Sequence, residues 1–360
     1  MIFRKLILLF FIQISFTQEI DKNLILDSVE SEINGTEPGL ILNLFSEKNN
    51  LNFSYAYGIN DLAQNNFLEN DSQFRIASVT KTFVAASVLR LWEEKKLDLD
   101  DPISYYIDRN IYYYLIDGGY NPEIITVRNL LNHSAGLFDH TTHPNFFKKL
   151  FENPSYKWTR ESQIKACVDW GKPIGLPGQQ MKYSDTGYVI LGGIIEKLYG
   201  KNLDKSISEL LKFNELNIRD TWFEDDRNDK RIHQYFRNGT DAYNFDKSMD
   251  YFGGGGLIST ASDISKFFYL LFNNKVFKSP RTLDEMLKKY SYSTPSQMDY
   301  SLGIWEINID DIKLYTHSGF WGTQVVYSPK YNLSISANYS KGWRGGMNAP
   351  IIKKVLKLMK

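Results

Sequence analysis

Ser78 and Lys81 stand three positions apart in Ser78-Val79-Thr80-Lys81. On a helix such positions share a face, so a hydroxyl and an amine become neighbours. Val79, Phe83, Ala86 and Leu89 recur at helical spacing and predict a helix over 78–92. Ser78 then sits at its start, where the helix dipole favours a developing alkoxide. A partly desolvated lysine can lose its charge and accept the serine proton, which would turn Ser78 into a nucleophile toward an acyl carbon. The spacing by itself is weak. Ser162-Gln163-Ile164-Lys165 repeats it with nothing else around it and reads as structural.

The surroundings raise its specificity. Phe74-Arg75-Ile76-Ala77-Ser78-Val79-Thr80-Lys81-Thr82-Phe83 resembles the nucleophile segment of the β-lactamase-like, penicillin-recognising serine hydrolases. That family includes class C β-lactamases, serine D-alanyl-D-alanine carboxypeptidases, D-aminopeptidases and some esterases. The resemblance continues through Leu97-Asp98-Leu99-Asp100-Asp101-Pro102 and Asn132-His133-Ser134-Ala135-Gly136-Leu137. It recurs in Tyr183-Ser184-Asp185-Thr186-Gly187-Tyr188, in Gly254-Gly255-Gly256-Leu257-Ile258-Ser259-Thr260 and in His317-Ser318-Gly319, in the family order.

What the resemblance implies can be stated residue by residue. Ser78 is acylated, Lys81 is its partner, and Tyr183 shuttles protons between Ser78, the leaving group and water. The backbone N–H groups of Ser78 and Phe320 form an oxyanion hole. His317, Ser318 and Gly319 take the place of the family's Lys-Thr-Gly, a variant used in D,D-peptidases and esterases. A histidine there can donate to a substrate carboxylate, less firmly than lysine. Asp185 departs from the family's asparagine. A carboxylate only accepts hydrogen bonds, and beside Lys81 it favours the charged amine. That makes Lys81 a poorer base, shifts weight onto Tyr183 and weakens a β-lactamase reading.

The expected activity is that of an exported serine hydrolase acting on an amide or ester, first of all a D-alanyl-D-alanine carboxypeptidase-like peptidase. An esterase or β-lactamase of the same family is the alternative. A non-hydrolytic penicillin-binding sensor or inactive homologue is another, because Asp185 could disarm the base. No metal or organic cofactor is implied, and the partner is a small-molecule or peptide substrate. His140 and His143 near Asp139 match no zinc spacing and read as a solvated loop. His133, the Gly253-Gly254-Gly255-Gly256 run and Tyr106 read as structural. No G-x-S-x-G elbow, Walker loop or H-E-x-x-H occurs.

The elements that must position these residues follow from periodicity. The stretches 39–45 and 51–57 around Glu47-Lys48-Asn49-Asn50 predict a β-hairpin. Helices are predicted over 127–131, over 188–199 closed by Gly200, and over 264–272 after Ser259-Thr260-Ala261-Ser262-Asp263. Strands are predicted over 302–309, 312–316, 323–328 and 333–338, and a last amphipathic helix from Pro350. Strands at both chain ends and helices between them predict an α/β (α+β) fold of the β-lactamase/transpeptidase-like type. One antiparallel sheet, over about 24–77 and 257–360, is flanked by helices, and a mostly helical lobe over about 78–256 is inserted. A ligand cleft is expected between the lobes.

Composition agrees with a globular chain: 360 residues, 42% hydrophobic, 23% charged. Zero formal net charge gives no basic field for nucleic acid. The single Cys167 excludes an intramolecular disulfide and reads as a buried small side chain. Arg4 and Lys5, an apolar run over 6–12 and Ser15-Phe16-Thr17 form the pattern of a secretory signal cleaved after Thr17, with an uncleaved anchor as the alternative. Its loss removes two cations and no acid, leaving a net charge of −2. No stretch is long and apolar enough for a stable membrane span.

Overall fold

Both faces of the central strand are apolar because both are covered. The computed structural model describes residues 22–33, 38–225, 231–295, 299–341 and 350–359. The expected signal over 1–17 lies outside the described residues. Helix α1 (Lys22–Ile33) leads into the hairpin of β1 (Gly39–Ser46) and β2 (Leu51–Asp61), edged by β3 (Asn66–Phe67). Strand β4 (Phe74–Arg75) precedes α2 (Thr80–Glu93). Then come α3 (Arg109–Asp117), α4 (Val127–Leu131), α5 (Pro144–Glu152), α6 (Arg160–Trp170), α7 (Asp185–Tyr199), α8 (Leu203–Leu210) and α9 (Phe213–Leu216). Strands β5 (Trp222–Phe223) and β6 (Leu257–Ser259) are followed by α10 (Ala261–Phe272) and α11 (Pro280–Met286). The last elements are β7 (Asp299–Tyr300), β8 (Trp305–Ile309), β9 (Ile312–Gly319), β10 (Thr323–Ser328), β11 (Leu333–Tyr339) and α12 (Pro350–Leu358).

Eight strands form one antiparallel sheet in the order β3-β2-β1-β11-β10-β9-β8-β7. The two chain ends meet at β1 and β11, where Leu42 faces Ala337 and Leu44 faces Ile335. On one face Leu40, Leu42 and Leu44 pack with Ile25 and Val29 of α1 and Ile351, Ile352 and Val355 of α12. On the other, Ile41 and Phe45 join the main core with α10, and the Phe45 and Tyr269 rings lie 5.3 Å apart. The β1 run to Phe45 is therefore apolar on both faces apart from the buried Asn43, which donates to Asn52 and Ser54 and accepts from Ser265. In α12 the isoleucines face the sheet while Lys353 and Lys357 face water, the split that the sequence period predicts.

Helix α2 is the axis of the molecule. Every side chain from Thr80 to Leu91 is buried, the polar Thr80, Lys81, Thr82, Ser87 and Arg90 included, so protein surrounds the helix on all sides. Phe83 stacks on Phe267 of α10 with centroids 4.0 Å apart. A second sheet, β4-β6-β5, was not visible in the sequence because strands of two or three residues carry no period. It lays the end of the glycine run beside the approach to Ser78, and Ile76 donates to the Leu257 carbonyl at 3.0 Å.

One predicted strand begins late. Residues 302–304 turn instead of pairing, because Gly303 (φ +79°) presses on α2. A Cβ there would lie 2.3 Å from Ala85 Cβ, and its carbonyl accepts from Thr82 Oγ1 at 2.8 Å. The Phe83–Phe267 stack joins α2 to the sheet's helix layer, so Phe267→Ala should cost about 3–5 kcal/mol. Urea unfolding checks this: the midpoint falls with an unchanged slope, and an unmoved midpoint would show that the stack is dispensable.

Candidate active site

The chain reaches Ser78 through an unusual turn. Ala77, immediately before it, has φ +47°, a left-handed conformation that a Cβ disfavours. Residues Ala77–Val79 form a 3₁₀ turn, so α2 starts at Thr80, two residues later than the period predicts. Lys81 is still one turn from Ser78. Strand β9 passes so close that a Cβ on Gly319 would lie 2.1 Å from the Ile76 carbonyl oxygen. Only glycine permits this approach. It brings Phe320 beside Ser78. Neither the Ser78 nor the Phe320 N–H has a backbone acceptor among the described residues.

Lys81 is fully buried, and its ammonium is surrounded by oxygen partners. It donates to Ser78 Oγ at 3.0 Å and to the Gly254 carbonyl, and forms an ion pair with Asp185 Oδ1. Burial alone would drive the amine toward its neutral form. The charge of Asp185 and its hydrogen bond, with Tyr183 acting in the same sense, overcome this and hold the amine protonated above the ordinary lysine range. In that state the nitrogen has no lone pair for the Ser78 proton until it has passed one of its own to a neighbour.

Tyr183 lies on the other side of the amine. The ammonium is 5.1 Å from its ring centroid, and its hydroxyl interacts with both Ser78 and Lys81. Burial pushes the phenol above the ordinary tyrosine range, more than the Lys81 charge lowers it. His133 packs under it with ring centroids 4.1 Å apart. Its Nδ1 accepts from the Ser184 N–H at 3.2 Å, and its carbonyl accepts from the Lys182 N–H at 2.8 Å. His133 (φ +58°) thus fixes both sides of Tyr183.

His317 is not where a carboxylate donor was expected. Strand alternation turns it into the layer behind the site, 1% exposed, with Nε2 3.2 Å from the Tyr300 hydroxyl. Burial, and then the Lys81 charge, push its pKa down to about 3, so the ring is neutral near pH 7. Ser318, on the opposite face of β9, is half-buried.

Ser78 and Asp185 open on a cavity of about 360 Å³. Its apolar wall is Phe146, Phe147, Met249, Phe320 and Trp321, and Phe147 stacks on Phe320 at 5.5 Å. Thr141, Arg237 and Asp250 complete the lining. Apart from Phe320, these side chains were missed in the sequence. They come mostly from 139–160 and 224–250, where no motif or period marks them. Arg75, three residues before Ser78, fixes that wall. It forms a two-pronged pair with Glu224 (2.7 and 2.8 Å) and donates to the carbonyls of Ala242 and Phe245.

The other residues singled out by sequence lie elsewhere. Ser162 caps α6, and Lys165 pairs with Asp169 on its surface. Tyr106 donates to Asp101. Cys167 is buried against Tyr120. The expectation of a solvated loop at His140 is wrong. His140 is 1% exposed, 2.9 Å from Thr186 Oγ1, and burial pushes it down to about 4. His143 stacks on Trp170. No cluster of metal-ligating side chains occurs among the described residues.

Replacing Asp185 tests the charge state. In Asp185→Asn the burial of Lys81 remains and the carboxylate's pull is gone, so the amine's pKa falls. The acidic limb of Ser78 reaction with a fluorophosphonate should move to lower pH, with the rate near pH 7 retained or raised. A large rate loss in a folded variant would contradict this.

Comparison with known proteins agrees with the geometry. The beta-lactamase family model matches residues 44–348. Penicillin-binding protein 4* of Bacillus subtilis (strain 168) is 24% identical over 300 residues, 77% of this chain and 62% of that protein. The chain spans less than two thirds of the length of the curated relatives it first matches, 62% and 47%. The D-amino acid amidase from Ochrobactrum anthropi SV3, solved with L-phenylalanine amide, has a TM-score of 0.79 at 23% identity, over 94% of this chain and 98% of that one. A D-stereospecific amidohydrolase from Streptomyces sp. has a TM-score of 0.77 at 22% identity, over the same shares. These two likenesses establish the fold, and the match over 44–348 establishes that the chain belongs to the beta-lactamase family.

Proposed function

We propose that this chain is a serine hydrolase that cleaves an amide or ester through an acyl-enzyme on Ser78, with a D-amino-acid peptide or amide as substrate. The observation that carries this reading is the contact of Ser78 Oγ with Lys81 Nζ at 3.0 Å, beside Tyr183, at the edge of a cavity. Ser78 attacks the carbonyl carbon as its proton passes to Lys81, which gives one of its own protons to the paired Asp185 carboxylate. The oxyanion is received by the N–H groups of Ser78 and Phe320. Tyr183 gives its phenolic proton to the departing amine or alcohol and is refilled through Lys81 from Asp185, and the acyl group is then released with water in the place of the Ser78 hydroxyl. Because Lys81 begins charged, Tyr183 carries more of the proton traffic and Lys81 stabilises the phenolate as it forms.

The names of two structural relatives, a D-amino acid amidase and a D-stereospecific amidohydrolase, support the substrate class. Against a carboxypeptidase stands the buried, neutral His317, which withdraws the expected partner of a terminal carboxylate. Arg237 in the cavity wall keeps that reading as the second one. Export rests on the sequence pattern over 1–17.

A fluorophosphonate probe, with peptide mass analysis, tests the reading. The adduct should sit on Ser78 and be absent from Ser78→Ala. Turnover of phenylalanine amide, a D-Ala-D-Ala peptide, a p-nitrophenyl ester or a cephalosporin should fall at least about 10³-fold in that variant. A folded protein without an adduct would contradict the proposal. A lasting penicillin adduct without turnover of any substrate would mark a binding sensor instead.

A further inference from the structure

Two carboxylates flank successive residues of the glycine run and line the same cavity as Ser78. A Cβ on Gly254 would lie 3.4 Å from Asp185 Cγ. A Cβ on Gly255 would lie 2.0 Å from Asp250 Oδ1, so the Asp250 carboxylate rests on that glycine's backbone. Asp185 is already paired with Lys81. Asp250 forms no hydrogen bond or ion pair with a side chain among the described residues, although it faces the cavity. The aromatic wall of Phe146, Phe147 and Phe320 stands beside it.

We propose that Asp250, with Asp185, forms a subsite for a cationic amino group next to the scissile carbonyl, and that the aromatic wall receives the apolar side chain on the same carbon. The substrate is then an amide or ester of an amino acid with an unblocked amine. This deepens the serine-hydrolase reading and rests on it for the reaction, though not for the binding. The nearby charges agree. Burial and the Asp185 charge, with Glu224 in the same sense, push Asp250 up to about 7, more than Lys81 and Arg75 lower it. Arg75 and Arg231 are both paired with Glu224. Asp185 is balanced by Lys81, and Asp250, which shares the lining with Arg237, has no ion pair among the described residues. A ligand ammonium pairs with Asp250 and stabilises its ionised form.

Calorimetry on Ser78→Ala, which needs no turnover, separates this from the hydrolase proposal. The probes are phenylalaninamide of either hand, neutral 3-phenylpropanamide and anionic 3-phenylpropionate. At about pH 7.5, between the pKa of Asp250 and that of the α-amine, the amine should bind at least about tenfold tighter than the neutral amide, and the advantage should fall above about pH 8 as the amine loses its proton. That advantage should shrink as the pH falls below about 7, where Asp250 takes up a proton. Asp250→Asn in the same background should abolish the advantage, and the ratio of the two affinities is insensitive to a general loss of folded protein. Equal binding of amine and neutral amide, preference for the anion, or an advantage that survives Asp250→Asn would overturn the subsite.

Discussion

A lysine ammonium buried to zero exposure is the constraint around which the rest is arranged. Such a charge is costly unless every proton finds an acceptor and a counter-charge lies close. Here the acceptors come from three distant parts of the chain: Ser78 one turn earlier, the Gly254 carbonyl, and Asp185 at the start of α7. Bringing them together requires the buried α2, the glycine run and the α7 N-terminus to meet at one point. The main core does this by enclosing α2 between α7 and α10.

The charge also sets the state of its neighbours. It depresses the pKa values of His133 and His317, which burial has already lowered. Those neutral rings then pack behind Tyr183 and Tyr300 as supports. On the aspartates nearby its downward pull is outweighed by burial and by Asp185. Asp139 is pushed up to about 7 by burial and by Asp185, more than Lys81 lowers it. The carboxylate at position 185 thus acts on Lys81, Asp139 and Asp250 together.

Much of this was legible in the sequence, for identifiable reasons. The sheet strands and α2, α7, α10 and α12 carry long apolar periods, and their order predicts the sheet closed by both ends. The Ser78–Lys81 spacing marks a hydroxyl beside an amine, and Asp185 two residues after Tyr183 marks the altered charge. Strand alternation separates His317 from Ser318, yet it does not tell which face the protein covers, so the burial of His317 had no signal. Asp250, Arg237, Phe147 and Met249 sit in loops or on the short α5, and long-range packing alone brings them to Ser78. The Arg75–Glu224 pair that fixes this wall joins residues 149 positions apart, which no local pattern can show.

Nitrogen-15 labelling of lysine side chains gives the most direct test, because the Lys81 Nζ signal reports its charge. If Asp185 holds the amine protonated, that signal should keep its ammonium shift up to about pH 10, the ordinary lysine range. A titration midpoint below about pH 8 would mean that burial outweighs the carboxylate and that Lys81 is a ready base, contradicting the account.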